Sequence, residues 1–151
     1  MSALERQWAF TMREIVCVGS ASDVEDFRQR GMRLAGTLAS RLDLDAGFLV
    51  ATDPFFAPTA RGKTIVQRVK ALKHELALPI GGERSTAAAS FNHHEQFFGE
   101  AFGITLSTGE VASSGCVAFG LERWLLAFLV AHGLDRAEWP VAESTFAEAE
   151  S

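Results

Sequence analysis

A chain of 151 residues is most simply one domain, and 48% hydrophobic content with twelve phenylalanines excludes a disordered, solvating chain. A net charge of −5 argues against broad nonspecific binding to nucleic acid. Cys17 and Cys116, the two cysteines, make no disulfide framework and point to a reducing compartment. The first residues carry no signal-peptide hydrophobic region and no apolar run reaches the ~18 residues that span a bilayer, so the expected location is cytoplasmic, away from membrane.

In chain order, Met1–Trp8 is polar and carries no signal. Phe10–Gly19, FTMREIVCVG, is rich in β-formers and reads as a strand. Ser20–Ser22 offers an N-cap, with Asp23, Glu25 and Asp26 placed for the first turn of a helix that runs to about Leu42. Its apolar stripe is expected to be Val24, Phe27, Met32, Leu34, Leu38 and Leu42. Phe48–Ala51 is a short strand, Asp53-Pro54 leaves it, and Phe55–Gly62 reads as loop. Thr64–Leu72 fits either helix or strand.

Lys73–Ile80 reads as a strand that ends at Pro79 and a Gly81-Gly82 turn. Thr86–Phe98 is small and β-compatible. Ala101–Leu106, with a turn at Thr108-Gly109, suggests a hairpin to Val111. Cys116–Phe119 is the last strand. From Leu121 the apolar residues Trp124, Leu125, Leu126, Phe128, Leu129 and Val130 surround a helix on most sides, which predicts a buried one ending at Gly133. Trp139-Pro140 closes the domain, and residues 141–151 form an acidic tail. Strands in succession with helices at the ends indicate an α+β domain built on a mainly antiparallel sheet with flanking helices.

Arg123, one turn into that helix, is the polar oddity. A guanidinium keeps its charge and is costly to bury without an anion. It either pairs with an acid such as Glu122 or reaches solvent, or it is held near the helix N-terminus to meet phosphate.

The turn Ala118-Phe119-Gly120-Leu121-Glu122-Arg123, between strand and helix, resembles motif 3 of the class II aminoacyl-tRNA synthetases, with Ala118 in place of the first glycine. Four further stretches, FTMREIVCVGS, ATDPFF, LKHEL and SFNHHEQFFG, follow in order the pattern of one branch, the amino acid:[carrier protein] ligases. These are similar to seryl-tRNA synthetase but have no tRNA-binding arm. The resemblance covers most of Phe10–Gly133, and it implies a partial class II catalytic core over residues 10–133.

By that resemblance Arg123 contacts the γ-phosphate of ATP and is the catalytic residue. Glu83 stands near ATP and its magnesium, and Asn92 touches the nucleotide. Asp53 and Lys73 face the substrate pocket, where the plainer readings are a turn-capping Asp and a solvated Lys. Glu14 and Cys116 are two of three zinc ligands that would hold the amino group of a small amino acid. Read from the residues alone, Glu14 pairs with Arg13 or Arg123 and Cys116 is a small core residue. His93 and His94 are adjacent on a strand and face opposite ways, so a two-histidine metal site is not expected. Where the branch carries Asp then His, this chain has Gln96 and Phe97.

In that branch an Arg-x-Glu pair, the third zinc ligand and the dimer-forming motif 1 all lie before the stretch matching Phe10–Glu14. Only nine residues precede Phe10 here, and Glu5-Arg6 has the reverse order. The resemblance therefore implies the C-terminal half of a ligase catalytic domain, inactive alone, with a second copy or an N-terminal-half polypeptide and a carrier protein as partners. The alternative is a noncatalytic nucleotide- or carrier-protein-binding paralogue or regulatory subunit. With two of three ligands present, tight stoichiometric zinc is not expected.

Overall fold

The structure, a computed structural model, describes residues 4–5, 7–51 and 72–140. The expectations for Asp53, for Phe55–Gly62, for nearly all of Thr64–Leu72 and for the tail after Pro140 lie outside them. Strands β1 (Met12–Gly19), β2 (Gly47–Val50), β3 (Lys73–Pro79), β4 (Ser85–His93) and β5 (Ser113–Gly120) form one sheet in the order β1-β5-β4-β3-β2. Every neighbouring pair is antiparallel. Helices α1 (Ala21–Arg41), α2 (Phe97–Phe102) and α3 (Leu121–His132) complete the α+β domain.

Helix α1 begins where the sequence places it. The Ser20 side chain accepts from the Asp23 amide at 3.2 Å and the Asp23 carboxylate accepts from the Ser20 amide at 3.1 Å, a capping box. Most of the expected stripe packs inward: Val24 is fully buried, and Phe27, Met32, Leu38 and Leu42 lie half-buried against the core. Leu34 is the exception at 63% exposed, and Arg28, Ala35 and Ala39 join the buried face. Small residues win this face because the helix lies close against β5. A Cβ at Gly31 would stand 2.6 Å from a methyl of Val117, and one at Gly115 would stand 2.7 Å from a methyl of Val24.

Arg28 is tolerated there because Glu25 binds it in a fork at 2.9 and 2.8 Å and its Nη1 meets Nδ1 of His74 on β3. Burial, with Arg28 adding its charge, holds the His74 pKa below the usual histidine range. The neutral ring can then accept from the guanidinium. Beneath α1, Leu76, Leu78, Phe91 and Val117 make the apolar core.

Two further expectations change. The extended stretch Thr86–Phe98 ends at His93, and Phe97–Phe102 is helical, with Phe98 stacked on Phe102 at 6.2 Å one turn later. The hairpin at Ala101–Val111 accordingly shrinks to one bridge, Thr105 to Val111. Helix α3 is not buried all round. It sets Trp124 and Ala127 against the sheet and leaves Leu121, Leu125 and Val130 more than 40% exposed. A 12-residue helix lying on one side of a sheet has a single covered face, and uniform apolarity does not change that geometry.

The β3–β4 ladder is irregular at one point. Leu76 pairs with Ala89 and the next residue, Ala77, pairs with Ala87, so Ala88 is an extra residue in β4. Pairing with β5 starts only at Ala89 opposite Phe119. The Ala87 and Ala88 carbonyls are thereby available to side chains rather than to the ladder on that side.

The tight crossing of β4, β5 and α1 at Gly115 gives a stability test. An added Cβ would lie 2.6 Å from the Asn92 carbonyl oxygen, whereas at Gly47 nothing lies within 4 Å. Gly115→Ala is expected to lower unfolding stability by about 1–3 kcal/mol in urea titrations, through overpacking. Gly47→Ala is expected to stay within about 0.5 kcal/mol of the parent. Equal midpoints for the two variants would contradict this packing.

Candidate functional site

Side chains alternate across the sheet, so the antiparallel registers decide which residues share a face. Glu14, Val16 and Val18 of β1 lie on the same side as Ala118, Cys116 and Ser114, their partners on β5. Asn92 is opposite Cys116 and Ser90 opposite Ala118; Lys73 and Glu75 of β3 stand opposite Asn92 and Ser90. Val117, Gly115 and Phe91 are on the reverse face, under α1. The side facing away from α1 is thus a polar surface crossing four strands.

A cleft of about 630 Å³ opens on this side, and Lys73, Glu75, Ser90, Ala118, Gly120 and Arg123 are among its lining residues. Arg123 is fixed from the first turn of α3. Its Nη1 donates to the Ala87 carbonyl at 2.7 Å and its Nε to the Glu5 carbonyl at 3.3 Å. The adjacent Trp124 donates from Nε1 to the Ala88 carbonyl at 3.1 Å. Two consecutive side chains therefore take up the two carbonyls at the bulge.

Glu122 does not pair with Arg123. Its carboxylate accepts from the Thr11 amide at 2.8 and 2.9 Å, and the Leu121 amide returns a bond to the Thr11 carbonyl at 3.0 Å. A bond from its own backbone amide, with those from Thr11 adding to it, holds the Glu122 carboxyl below its ordinary pKa. Lys73 is not solvated either. It pairs with Glu75 at 3.0 Å, with its side chain 16% exposed.

Beside the cleft, Asn92 donates to Ser90 Oγ at 3.2 Å and to Cys116 Sγ at 3.1 Å. His94 approaches the same sulfur at 3.8 Å and Ser114 Oγ at 3.2 Å. His93 faces the other way, toward the Ala21 carbonyl on α1. Burial pushes the Cys116 pKa up to about 11, a hydrogen bond to the Glu14 carboxyl adds to the rise, and the Asn92 donor opposes it. The thiol is protonated at neutral pH. Burial, with the charge of His93, moves the His94 pKa down.

The structure thus brings Lys73, Asn92, Cys116, Glu14 and Arg123 onto one surface. Glu83 is apart from them, in the exposed β3–β4 turn and not among the cleft-lining residues. Among the described residues no group of three or more His, Cys, Asp or Glu side chains is placed to hold a metal ion.

Amino acid–[acyl-carrier-protein] ligase 1 of Bradyrhizobium diazoefficiens is 43% identical over 138 residues, covering 91% of this chain and 42% of that protein. Ligase 2 of the same organism is 42% identical over 140 residues. The type-2 serine–tRNA ligase of Methanopyrus kandleri is 30% identical over 148 residues, with 28% of its length covered. By sequence the chain is similar to amino acid–[acyl-carrier-protein] ligases and to type-2 serine–tRNA ligases. A solved structure, of M. kandleri SerRS in complex with A. aeolicus tRNASec, superposes with a TM-score of 0.80 at 24% identity, over 92% of this chain and 28% of that one. That likeness gives the fold. No protein-family model matches the chain.

The chain spans about two fifths of the length of the carrier-protein ligases it matches. Some residues of this surface escape motif reading. Glu75 is legible in retrospect, since Lys73-x-Glu75 on a strand shares a face and sets the two charges side by side. His94 and the Ala87 and Ala88 carbonyls have no such signal, because their roles follow from where β4 bulges and ends. Among the described residues no helix is long and apolar enough to cross a membrane.

The protonated thiol can be checked directly. At pH 8, three units below a pKa of about 11, about one Cys116 in a thousand is thiolate. In a Cys17→Ser background, iodoacetamide alkylation of Cys116 at pH 8 is expected to run at least ~100-fold slower than that of free cysteine. Glu14→Gln removes a group that raises the pKa and is expected to speed it. A rate matching free cysteine would contradict the assignment.

Proposed function

We propose that this chain carries part of the catalytic surface of an ATP-dependent ligase that activates a small amino acid and passes it to a carrier-protein thiol. The reading rests chiefly on Arg123, a cation fixed by the Ala87 carbonyl in a cleft that also holds Lys73. Its support in sequence is the likeness to two carrier-protein ligases at 43% and 42% identity.

In the first step the amino-acid carboxylate attacks the α-phosphorus of ATP, the α–β bridging bond breaks, and pyrophosphate leaves. Arg123, through the donors not spent on carbonyls, meets the negative charge on the γ-phosphate and orients the departing group. Lys73 lines the same cleft, and Asn92 stands between it on β3 and Cys116 on β5, toward the Glu14–Cys116 end where the amino acid would sit. In the second step a phosphopantetheine thiol attacks the adenylate carbonyl and AMP leaves, giving a thioester. Asp53 belongs to the same proposal by resemblance, at the substrate pocket.

The metals of such ligases fit these residues only in part. Glu14 and Cys116 share a face, but the described residues offer no group of three ligands around them. Glu83, the acid set beside magnesium by resemblance, stands outside the cleft-lining residues. No step through zinc or magnesium follows from them. A noncatalytic nucleotide-binding role is the second reading, and the position of Glu83 outside the cleft lining, away from where the resemblance sets an acid beside magnesium, favours it.

Amino-acid-dependent ATP–pyrophosphate exchange separates the two. The stretch matched here is 42% of a ligase, and removing one charge-stabilising donor costs ~10²–10³ in rate. The purified chain alone is therefore expected to exchange at least ~100-fold more slowly than a full-length carrier-protein ligase. Adding the remaining part of such a ligase in trans is expected to restore exchange, and Arg123→Ala to abolish it. Robust exchange by the chain alone would overturn the proposed dependence, and ATP binding without exchange under every combination would favour the noncatalytic reading.

A further inference from the structure

We infer that the amino acid taken up on this surface carries a branched apolar side chain, received by a pocket between β1, β5 and α2 in which Val16, Phe98 and Ile104 set the selection. The inference rests on the amino-acid-activating reading and adds to it the class of side chain. The pocket measures about 280 Å³ and lies on the same side of the sheet as the Arg123 cleft. The two meet on one ladder. Ala118 lines the cleft, and its partner on β1, Glu14, lines the pocket. Cys116, two residues or ~7 Å further along β5, lines the pocket as well.

The walls come from elements that are bound to one another. The segment after β4 is tied to β5, with the His94 amide donating to the Ser114 carbonyl at 2.8 Å and the Ser114 amide to the Glu95 carbonyl at 3.0 Å. Helix α2 then lies so close to the chain entering β5 that a Cβ at Gly99 would collide with the Ala112 carbonyl oxygen. This seats Phe98, whose ring meets His94 edge-on at 5.1 Å and stacks on Phe102 at 6.2 Å. The Ala112 amide donates to the Ile104 carbonyl at 3.0 Å and holds that residue beside β5. From β1 come Val16 and Val18, on the same face of the strand as Glu14.

Charge and hydrocarbon are therefore separated along the pocket. At the cleft end the Glu14 carboxylate suits an amino group, and a molecule held there by its amino group, with its carboxylate toward the cleft, directs its side chain along β1 and β5. Farther in, Ser114 Oγ already shares a hydrogen bond with Nδ1 of His94 at 3.2 Å. Val16, Val18 and Ile104 are each more than a third exposed, so a hydrocarbon side chain laid on them removes apolar surface from water. Glycine has nothing to lay there. Threonine matches valine in shape but must strip the water from its hydroxyl.

The test is calorimetry with non-hydrolysable sulfamoyl analogues of the glycyl, valyl and threonyl adenylates, on the parent chain, Val16→Phe and Ile104→Ala. Methyl spectra of Val18 and Ile104 accompany it. In the parent the valyl analogue is expected to bind at least ~10-fold more tightly than the glycyl and ~10-fold more tightly than the threonyl, the discrimination an apolar pocket supplies. The valyl analogue is expected to shift both methyl groups, and the glycyl neither. Val16→Phe, which fills the pocket, is expected to reverse the valyl-to-glycyl ratio, and Ile104→Ala, which removes wall, to lower it. Each ratio is read within one variant, so a loss of folded protein does not imitate the result. Equal valyl and glycyl binding in the parent, tighter threonyl binding, or a ratio unchanged in both variants would overturn the pocket assignment and leave the adenylate site standing. No binding of any analogue would overturn the activating reading and the inference with it.

Discussion

The extra residue in β4 is the constraint on which the polar side of this domain depends. Ala88 shifts the β3–β4 ladder by one position and stands just before β4 begins to pair with β5. Two neighbouring carbonyls would otherwise lie half-buried without partners, at a cost comparable to a lost hydrogen bond each. Trp124 and Arg123, consecutive at the start of α3, meet them at 3.1 and 2.7 Å. The same pair of bonds that docks α3 on the sheet also fixes a guanidinium at the rim of the cleft. A structural need and a chemical one are met by one turn of helix.

The two faces of the sheet divide the remaining work. On one, α1 comes close enough that glycines or alanines are required at Gly31, Ala35, Ala39 and Gly115, and the Glu25–Arg28–His74 tie adds a polar registration between helix and β3. The other face carries few large side chains over its centre, because Ala118, Ser90 and Gly120 are small, and this is what leaves room for a cleft. Among the described residues β1 has no strand on its outer side. Ile15, Val16 and Val18 of β1 are each more than half exposed, on both faces of the strand.

Much of the fold is legible in the sequence because its signals are local. Ser20 with Asp23 announces the start of α1, Pro79 with Gly81-Gly82 announces the end of β3, and β-formers mark β1. What is not legible depends on contacts distant in sequence. Periodicity marks Val24, Phe27, Met32, Leu38 and Leu42, which do pack on the core, but it does not mark Arg28, Ala35 and Ala39, which the short distance to β5 brings onto the same buried face while Leu34 is left exposed. The last strand is expected at Cys116–Phe119 yet β5 starts at Ser113, and within it Gly115 meets Val24. Of the site, the motif around Arg123 is readable, and its partner is not. A backbone carbonyl freed by a bulge in Ala87-Ala88-Ala89 leaves no trace in residue identity. Glu122 is the natural acid for Arg123 by sequence neighbourhood, but the helix turns it toward Thr11.

The central claim is that the sheet has one structural face and one ligand-binding face, with Arg123 at the boundary. Backbone amide chemical-shift mapping during an ATP titration of the isotopically labelled chain tests it most directly. The account predicts saturable shifts at Ala87, Ser90, Ala118, Gly120 and Arg123, and none beyond noise at Gly31, Ala35 and Ala39 on α1. Shifts centred on α1, or a spectrum that ATP does not change, would contradict it.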